Sequence, residues 1–134
     1  MPGRGGRMID RVLPNILSDR LTETRDFYVG LLGFAVAFES DWFINLSAPG
    51  EPKREIGIWR RDHELVPGEV RNPPQGVILT IVVDDVDTVY KSAVIKGVPV
   101  VAPPRDLFYG QRSCLLADPN GLIVDVSTPV ADAA

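Results

Sequence analysis

Few residues in this chain of 134 are of the types that most often carry out chemistry. The sequence contains a single histidine, His63, and a single cysteine, Cys114. A cysteine nucleophile needs a base to activate it, and Cys114 has no matching histidine. The sequence has no glycine-rich phosphate-binding loop either. We therefore predict that the chain contains no catalytic residues.

Carboxylates are the remaining candidates for acid–base work. Asp84-Asp85 stands where a helix is predicted to begin, and there capping of backbone N–H groups is the ordinary role of an aspartate. Asp125 lies in a predicted strand among apolar neighbours. It could be a general base with a raised pKa or the partner of a nearby arginine, and the arginine-paired structural role is favoured.

The elements that must position these residues form two similar modules. Leu17–Phe34 combines a helix start at Asp19 or Thr22 with a stop at Gly33, and a looser copy occupies Val83–Val98. Hydrophobic periodicity predicts the order β-α-β-β-β in each module. The predicted strands are 11–18, 34–39, 42–47 and 54–60, then 76–83, 98–102, 112–117 and 122–127, with helices ending near 32 and spanning 87–96.

These elements predict one domain over residues 8–129. Module one covers 8–60 and module two covers 76–129. The polar, proline-bearing segment 61–75 is a linker or a mobile loop beside a site. Residues 1–7 and 130–134 are expected to be flexible tails.

Composition excludes several classes of function. The net charge of −4 argues against a nucleic-acid or anionic-membrane partner. No apolar run approaches the ~18 residues of a membrane span, and the start lacks the apolar segment of a signal peptide. A lone cysteine cannot form an intramolecular disulfide and suits a reducing compartment, so a cytoplasmic location is expected.

Several motifs follow one another along the chain: Ser18-Asp19, Phe27-Tyr28, Leu31–Phe34, Val83–Asp87, Gly97–Val100, Asp118–Gly121 and Asp125. In this order and spacing they resemble those of the vicinal oxygen chelate superfamily, which includes glyoxalases, bleomycin-resistance proteins and extradiol dioxygenases. The resemblance covers roughly residues 8 to 129. It implies an α+β fold whose two βαβββ modules form curved mixed sheets with a concave ligand crevice, and a homodimer that closes it.

The same resemblance implies where a divalent metal would bind. The ligand positions of metal-dependent relatives fall on Val12, Ile78 and Asp125, and His63 matches none of them. A transition-metal site needs about three protein ligands with N, O or S donors. Because two of the three positions are aliphatic, we predict no metal and no other cofactor. Asp125 would then have a third possible role, as the remnant of a metal site.

Strand alternation predicts which side chains line the crevice. If Ile56 and Ile58 pack under the helices, then Glu55, Gly57 and Trp59 point into the crevice. Val12, Pro14 and Ile16, together with Ile78, Thr80 and Val82, would complete its floor. An apolar floor rimmed by aromatic rings suits a flat hydrophobic ligand, although a tryptophan in a small domain also belongs often to the core or a dimer interface. The predicted ligand-binding residues are Trp42, Phe43, Trp59, Thr80, Phe108, Tyr109, Arg112 and Asp125.

Two functional classes follow. The first is a metal-independent binding protein that sequesters an aromatic or glycopeptide antibiotic in the crevice of a dimer, with a hydrophobic aromatic small molecule as its partner. The alternative is an enzyme of the glyoxalase, isomerase or dioxygenase kind, which uses a metal at displaced ligands or Asp125 or Glu55 as an acid–base group. A third reading is an interaction role with no small-molecule ligand.

Overall fold

A computed structural model describes residues 8–50 and 53–130. The expected tail 1–7 lies outside the described residues, and so does the expected tail 130–134 apart from Val130. The backbone N–H of Val130 donates to the carbonyl of Gly110 at 3.0 Å. The last sheet therefore extends to the end of the described chain.

The two halves of the chain repeat one order of elements, a strand, a helix and three strands. This confirms the α+β class and the two βαβββ modules. The first sheet has the strand order β1-β4-β3-β2 and the second β5-β8-β7-β6; β1–β4 and β5–β8 are parallel pairs and the rest are antiparallel. The elements are β1 (Asn15–Ser18), α1 (Leu21–Leu32), β2 (Ala35–Glu39), β3 (Phe43–Ala48), β4 (Arg54–Arg60), β5 (Ile78–Val82), α2 (Val86–Ile95), β6 (Val100–Leu107), β7 (Gln111–Ala117) and β8 (Ile123–Pro129).

The two helices begin differently. Asp85 caps α2, since its side chain accepts hydrogen bonds from the backbone N–H groups of Asp87 and Thr88. The predicted capping role is thereby confirmed for Asp85. The predicted cap of α1 by Asp19 or Thr22 is wrong, because the residue before the helix is Arg20 and its side chain makes no capping bond.

The helix-bearing faces of both sheets share one hydrophobic core. Tyr28 of α1 is fully buried, and its hydroxyl donates to the Asp118 carboxylate of the second module at 2.8 Å. Burial, with Asp118 beside it, raises the pKa of Tyr28. Asn120 joins the modules as well, since it accepts from Ser18 at 2.6 Å and donates to Thr24 at 3.0 Å. One side of each helix therefore packs into this shared core, and the opposite face of each sheet is left open.

Two strand predictions need correction. Segment 103–111 begins with two prolines and lies between two predicted strands, so a loop is expected there, but β6 continues through Pro103 and Pro104 to Leu107. This strand lies at the sheet edge with two register shifts, and proline is tolerated there because it has no N–H to donate to a neighbour. The nearly continuous apolar run over 76–83 also predicts that β5 is buried on both faces, which is wrong. β5 is also an edge strand, and Ile78 and Val82 on its open face are 61% and 59% exposed.

Candidate ligand-binding face

The open face of the first sheet is the side turned away from the helices. On β4, Ile56 and Ile58 lie in the core, so Glu55, Gly57 and Trp59 face the open side as alternation predicts. On β1, Ile16 is only 5% exposed and belongs to the core, so its predicted place in the crevice floor is wrong.

The error on β1 concerns which side chains alternate inward, because Ile16 is the register partner of Ile58, which lies in the core. The strand begins at Asn15, after Pro14, and the backbone N–H of Gly57 donates to the Pro14 carbonyl at 2.8 Å. Asn15 and Leu17 therefore occupy the open face, next to Gly57 and Trp59 of β4.

Five aromatic rings meet on this side of the first sheet. Trp59 packs edge-to-face against Trp42, with ring centroids 5.1 Å apart, and against Phe43 at 5.9 Å. Phe38 lies 6.0 Å from Phe43, and His63 stacks on Trp42 at 4.0 Å with an interplanar angle of 15°. We call these five residues the aromatic cluster. It brings together three predicted ligand-binding residues, Trp42, Phe43 and Trp59.

Sequence reasoning missed Phe38 and His63. Phe38 could have been found from the hairpin between β2 and β3, which brings it near Phe43 across the turn at Ser40-Asp41. His63 carries no such signal, because it lies in the segment between the modules. Arg71 holds that segment by donating to the carbonyls of Val66 and His63, each at 2.9 Å.

Polar groups on this sheet are distributed unevenly. Arg11 binds the Glu55 carboxylate through two donors, and this pairing holds the pKa of Glu55 below its ordinary value. Both carboxylate oxygens of Glu55 are thus engaged. Asn45 faces the same side and is only 8% exposed. Its amide nitrogen makes no hydrogen bond within the described part of the chain, although Asn45 lies near enough to Glu55 to lower the pKa of that carboxyl further.

The second sheet carries Asp125 on its open face. Its carboxylate accepts from Ser113 at 2.5 Å and from Thr80 at 3.0 Å. The favoured pairing of Asp125 with an arginine is therefore wrong, since its partners in the structure are hydroxyl groups. The arginine nearest in sequence, Arg112, alternates onto the helix-bearing side and donates to Asp87 at 3.2 Å and to Asp106 at 3.1 Å.

Cys114 neighbours Ser113 on β7 but points into the core and is fully buried. Burial raises the pKa of its thiol to about 11. The thiol is therefore protonated at neutral pH, and a protonated thiol is a poor nucleophile.

Phe108 and Tyr109 form the tip of the hairpin between β6 and β7. Their rings contact each other at 5.3 Å, and they are 98% and 59% exposed. Within one chain this hairpin belongs to the second sheet, whereas Trp42 and Trp59 belong to the first. Tyr109 and the two tryptophans therefore do not line one wall inside a single chain.

The residues at the superfamily's metal positions do not fit a metal ion. Val12 and Ile78 have aliphatic side chains that are 75% and 61% exposed, and neither offers a donor atom. Only Asp125 has a carboxylate there, and two hydroxyl groups already bind it. Across residues 8–50 and 53–130 there is no group of three or more His, Cys, Asp or Glu side chains that could hold a metal ion.

The two sheets approach each other along β1 and β5, where clefts of ≈ 520 Å³ and ≈ 740 Å³ lie. Asn15 and Leu17 line the smaller cleft, opposite residues 72–75 of the segment between the modules. The open face of the first sheet thus continues into a cleft beside β1. In the portion of the chain described, neither helix has the length and apolar character needed to cross a membrane.

Solved structures share this architecture over nearly the whole chain. A superfamily member from Sphaerobacter thermophilus is 24% identical with a TM-score of 0.72, covering 91% of this chain and 99% of that one. A family enzyme from Burkholderia phytofirmans is 21% identical with a TM-score of 0.75, covering 88% and 97%. TnmS3, an antibiotic binding protein from Streptomyces sp. CB03234, is 23% identical with a TM-score of 0.68, covering 92% and 98%. At these identities the likeness shows the fold.

A sequence search of curated proteins gives no significant match. The family model named Glyoxalase/Bleomycin resistance protein/Dioxygenase superfamily matches residues 9–126, which is most of the chain and includes both modules. The chain therefore belongs to the Glyoxalase/Bleomycin resistance protein/Dioxygenase superfamily.

Proposed function

We propose that this protein binds an aromatic small molecule without transforming it and confers antibiotic resistance by sequestering that molecule. The observation that carries the proposal is the aromatic cluster on the open face of the first sheet. Flat rings bind well between aromatic side chains, each aromatic pair adding about 0.5–1.5 kcal/mol beyond the burial of apolar area. The antibiotic-binding neighbour TnmS3 has the same fold.

The chemical groups near the cluster support binding over catalysis. Glu55 is held ionised by Arg11, and its oxygens are already occupied, so it is badly placed to take a proton from a ligand. The metal positions on Val12 and Ile78 offer no donor atoms. We therefore propose that binding is independent of a metal ion.

A second copy of the chain would close the crevice. Apolar side chains of both open faces are exposed in one chain, among them Phe38 at 55% and Val82 at 59%. Exposed apolar surface of this kind marks an interaction site. We propose a homodimer in which the first sheet of one copy faces the second sheet of the other, so that Phe108 and Tyr109 close over the partner's aromatic cluster. Sedimentation at micromolar concentration is expected to give a dimer, and a monomer would contradict this arrangement.

A thermal-shift screen against aromatic and glycopeptide antibiotics tests the function. A ligand present at a hundredfold above its dissociation constant stabilises the folded protein by roughly 2.7 kcal/mol, which gives a clear rise in melting temperature. Each stabilising compound is then recovered and examined by mass spectrometry. We expect it unchanged after prolonged incubation, and a chemically altered compound would contradict sequestration.

One observation favours a second candidate function, an enzyme with Asp125 as its acid–base group. Asp125 lies on an open face, and Thr80 and Ser113 fix its carboxylate in place. The two functions are separated by assaying dicarbonyl and catechol substrates with the wild type and with Asp125→Asn. Turnover that Asp125→Asn abolishes supports the enzyme, as does one equivalent of retained metal per chain. Antibiotic binding that Asp125→Asn leaves intact supports the binding protein.

A further inference from the structure

Three residues form a row across the first sheet, one strand after another. Asn15 of β1 is the register partner of Gly57 of β4, and Gly57 is the partner of Asn45 of β3. Adjacent strands lie about 4.8 Å apart, so the two asparagines flank the glycine on the same face. We call this row the amide seat.

Asn45 provides an unused hydrogen-bond donor in the seat. Its neighbours Ile44 and Leu46 are 1% and 0% exposed in the core, so the Asn45 side chain points to the open face. Asn45 is itself 8% exposed, and its Nδ2 makes no hydrogen bond to any described residue, because Arg11 engages both oxygens of the nearby Glu55 carboxylate. Buried amide groups are nearly always hydrogen-bonded, and an exception requires an explanation. An acceptor atom of a bound ligand would satisfy Nδ2.

Asn15 provides a second polar group at the same place. A Cβ atom built on Gly57 would lie 2.0 Å from Asn15 Oδ1 and 3.2 Å from Phe43 Cε1. Only the missing side chain at position 57 therefore allows the Asn15 carboxamide to lie against the sheet. The seat presents one carboxamide oxygen and one carboxamide nitrogen above a glycine floor.

The amide seat borders the aromatic cluster directly. The next register pair on the same face is Phe43 with Trp59, two residues along each strand. Two residues of a strand span roughly 6.8 Å. A ring held against Trp59 and Phe43 can therefore place a polar substituent beside the Asn15 and Asn45 carboxamides.

The charges nearby indicate what kind of substituent fits. Glu55 is two residues from Gly57, and Arg11 already neutralises it. The seat thus offers neutral amide groups and no free ion partner. A neutral substituent that both donates and accepts matches one amide oxygen and one amide nitrogen.

We propose that the amide seat selects aromatic ligands that carry an uncharged group able to donate and accept a hydrogen bond, such as a phenolic hydroxyl or a ring amide. Asn45 Nδ2 donates to the oxygen of this group, and Asn15 Oδ1 accepts from its O–H or N–H. This inference rests on the proposed function, since the ring itself is held by the aromatic cluster. It adds the chemical class of the ligand.

Three probes of one shape test the proposal: 2-naphthol, 2-methoxynaphthalene, which accepts but cannot donate, and naphthalene. Affinities are measured by calorimetry, and spectra of ¹⁵N-labelled protein report the indole N–H and side-chain NH₂ signals. We expect 2-naphthol to bind about tenfold more tightly than naphthalene, which is about 1.4 kcal/mol, with 2-methoxynaphthalene between them. The NH₂ signals of Asn45, assigned by their loss in Asn45→Leu, should shift with 2-naphthol and not with naphthalene.

Variants distinguish the seat from the cluster. In Asn45→Leu and in Asn15→Ala, the preference for 2-naphthol should fall to within about twofold; Asn15 is exposed, so its variant does not depend on the core. Thr22→Val, at an exposed position of α1 on the helix side, should keep the preference. Equal affinities for the three probes, with the Trp59 indole signal still shifting, would overturn the amide seat and leave the proposed function standing. Failure of all three probes to perturb Trp59 would overturn both.

Discussion

Replacing Asn45 with leucine should stabilise the protein, although asparagine is the natural residue. Asn45 is 8% exposed, and its Nδ2 makes no hydrogen bond to the residues that the structure describes. A buried polar group without a hydrogen bond costs about 1–3 kcal/mol relative to a satisfied one. Leucine has a similar size and no polar atom, so it removes this cost and buries more apolar surface.

The expected gain in the free energy of unfolding is about 1 kcal/mol or slightly more. For a domain of this length, 1 kcal/mol corresponds to roughly 3–5 °C in melting temperature. Wild type and Asn45→Leu are compared by calorimetry without ligand and at equal protein concentration, because dimerisation makes the melting temperature depend on concentration.

Asn120 provides a matched control. It is also an asparagine, but its amide accepts from Ser18 at 2.6 Å and donates to Thr24 at 3.0 Å. Asn120→Leu removes both of these hydrogen bonds and should lower the stability by about 1–3 kcal/mol. If Asn45→Leu lowers the melting temperature as Asn120→Leu does, Asn45 is hydrogen-bonded in the folded protein and the reasoning behind the amide seat is refuted.

Two other predictions follow from the same sheet. Gly57→Ala should lower the melting temperature, because its Cβ would lie 2.0 Å from Asn15 Oδ1. Adding Asn15→Ala to the same chain should restore most of this loss. If the effects of the two substitutions on stability simply add, the proposed contact is contradicted. The lowered pKa of Glu55 stabilises the folded protein above the unfolded-state pKa of about 4.3, and this contribution is lost as the pH falls through the folded-state pKa. Melting temperatures from pH 7 to pH 3 should therefore fall less steeply in Arg11→Met than in the wild type, and parallel curves would contradict the pairing.

Much of the fold could be predicted from the sequence because its signals are local. Asn120-Gly121 predicts the hairpin between β7 and β8, and the structure confirms it with Ala117 paired to Ile123 and Gly121 at a φ of 82°. Asp85 predicts the start of α2 for the same reason, since a capping side chain acts within three residues.

The errors concern features that depend on distant partners. Pro103 and Pro104 read as loop residues, and only the position of β6 at a sheet edge makes them compatible with a strand. The hydrogen-bond partners of Asp125 could not be predicted from the sequence, because they lie on neighbouring strands. They are Thr80 and Ser113.

The candidate site was predicted in part. Alternation around Ile56 and Ile58 correctly predicts that Trp59 lies on the open face. Once two aliphatic residues of a strand are known to face the core, the residues between and beside them must face the other side. Asn45 was missed, since a neutral polar residue in a strand carries no sign that it lacks a partner. That property appears only when the neighbouring strands are in place.

The most direct test of the proposed function is the affinity of Trp59→Ala for the compound that stabilises the wild type most in the thermal-shift screen. Loss of one ring should weaken binding about tenfold to a hundredfold, since 1.4 kcal/mol is one decade in affinity. Trp59→Phe, which keeps a ring, should lose less, and Tyr90→Ala on the helix side should bind as the wild type does. If Trp59→Ala folds and retains wild-type affinity, the aromatic cluster is not the ligand-binding face and Trp59 belongs to the core or an interface.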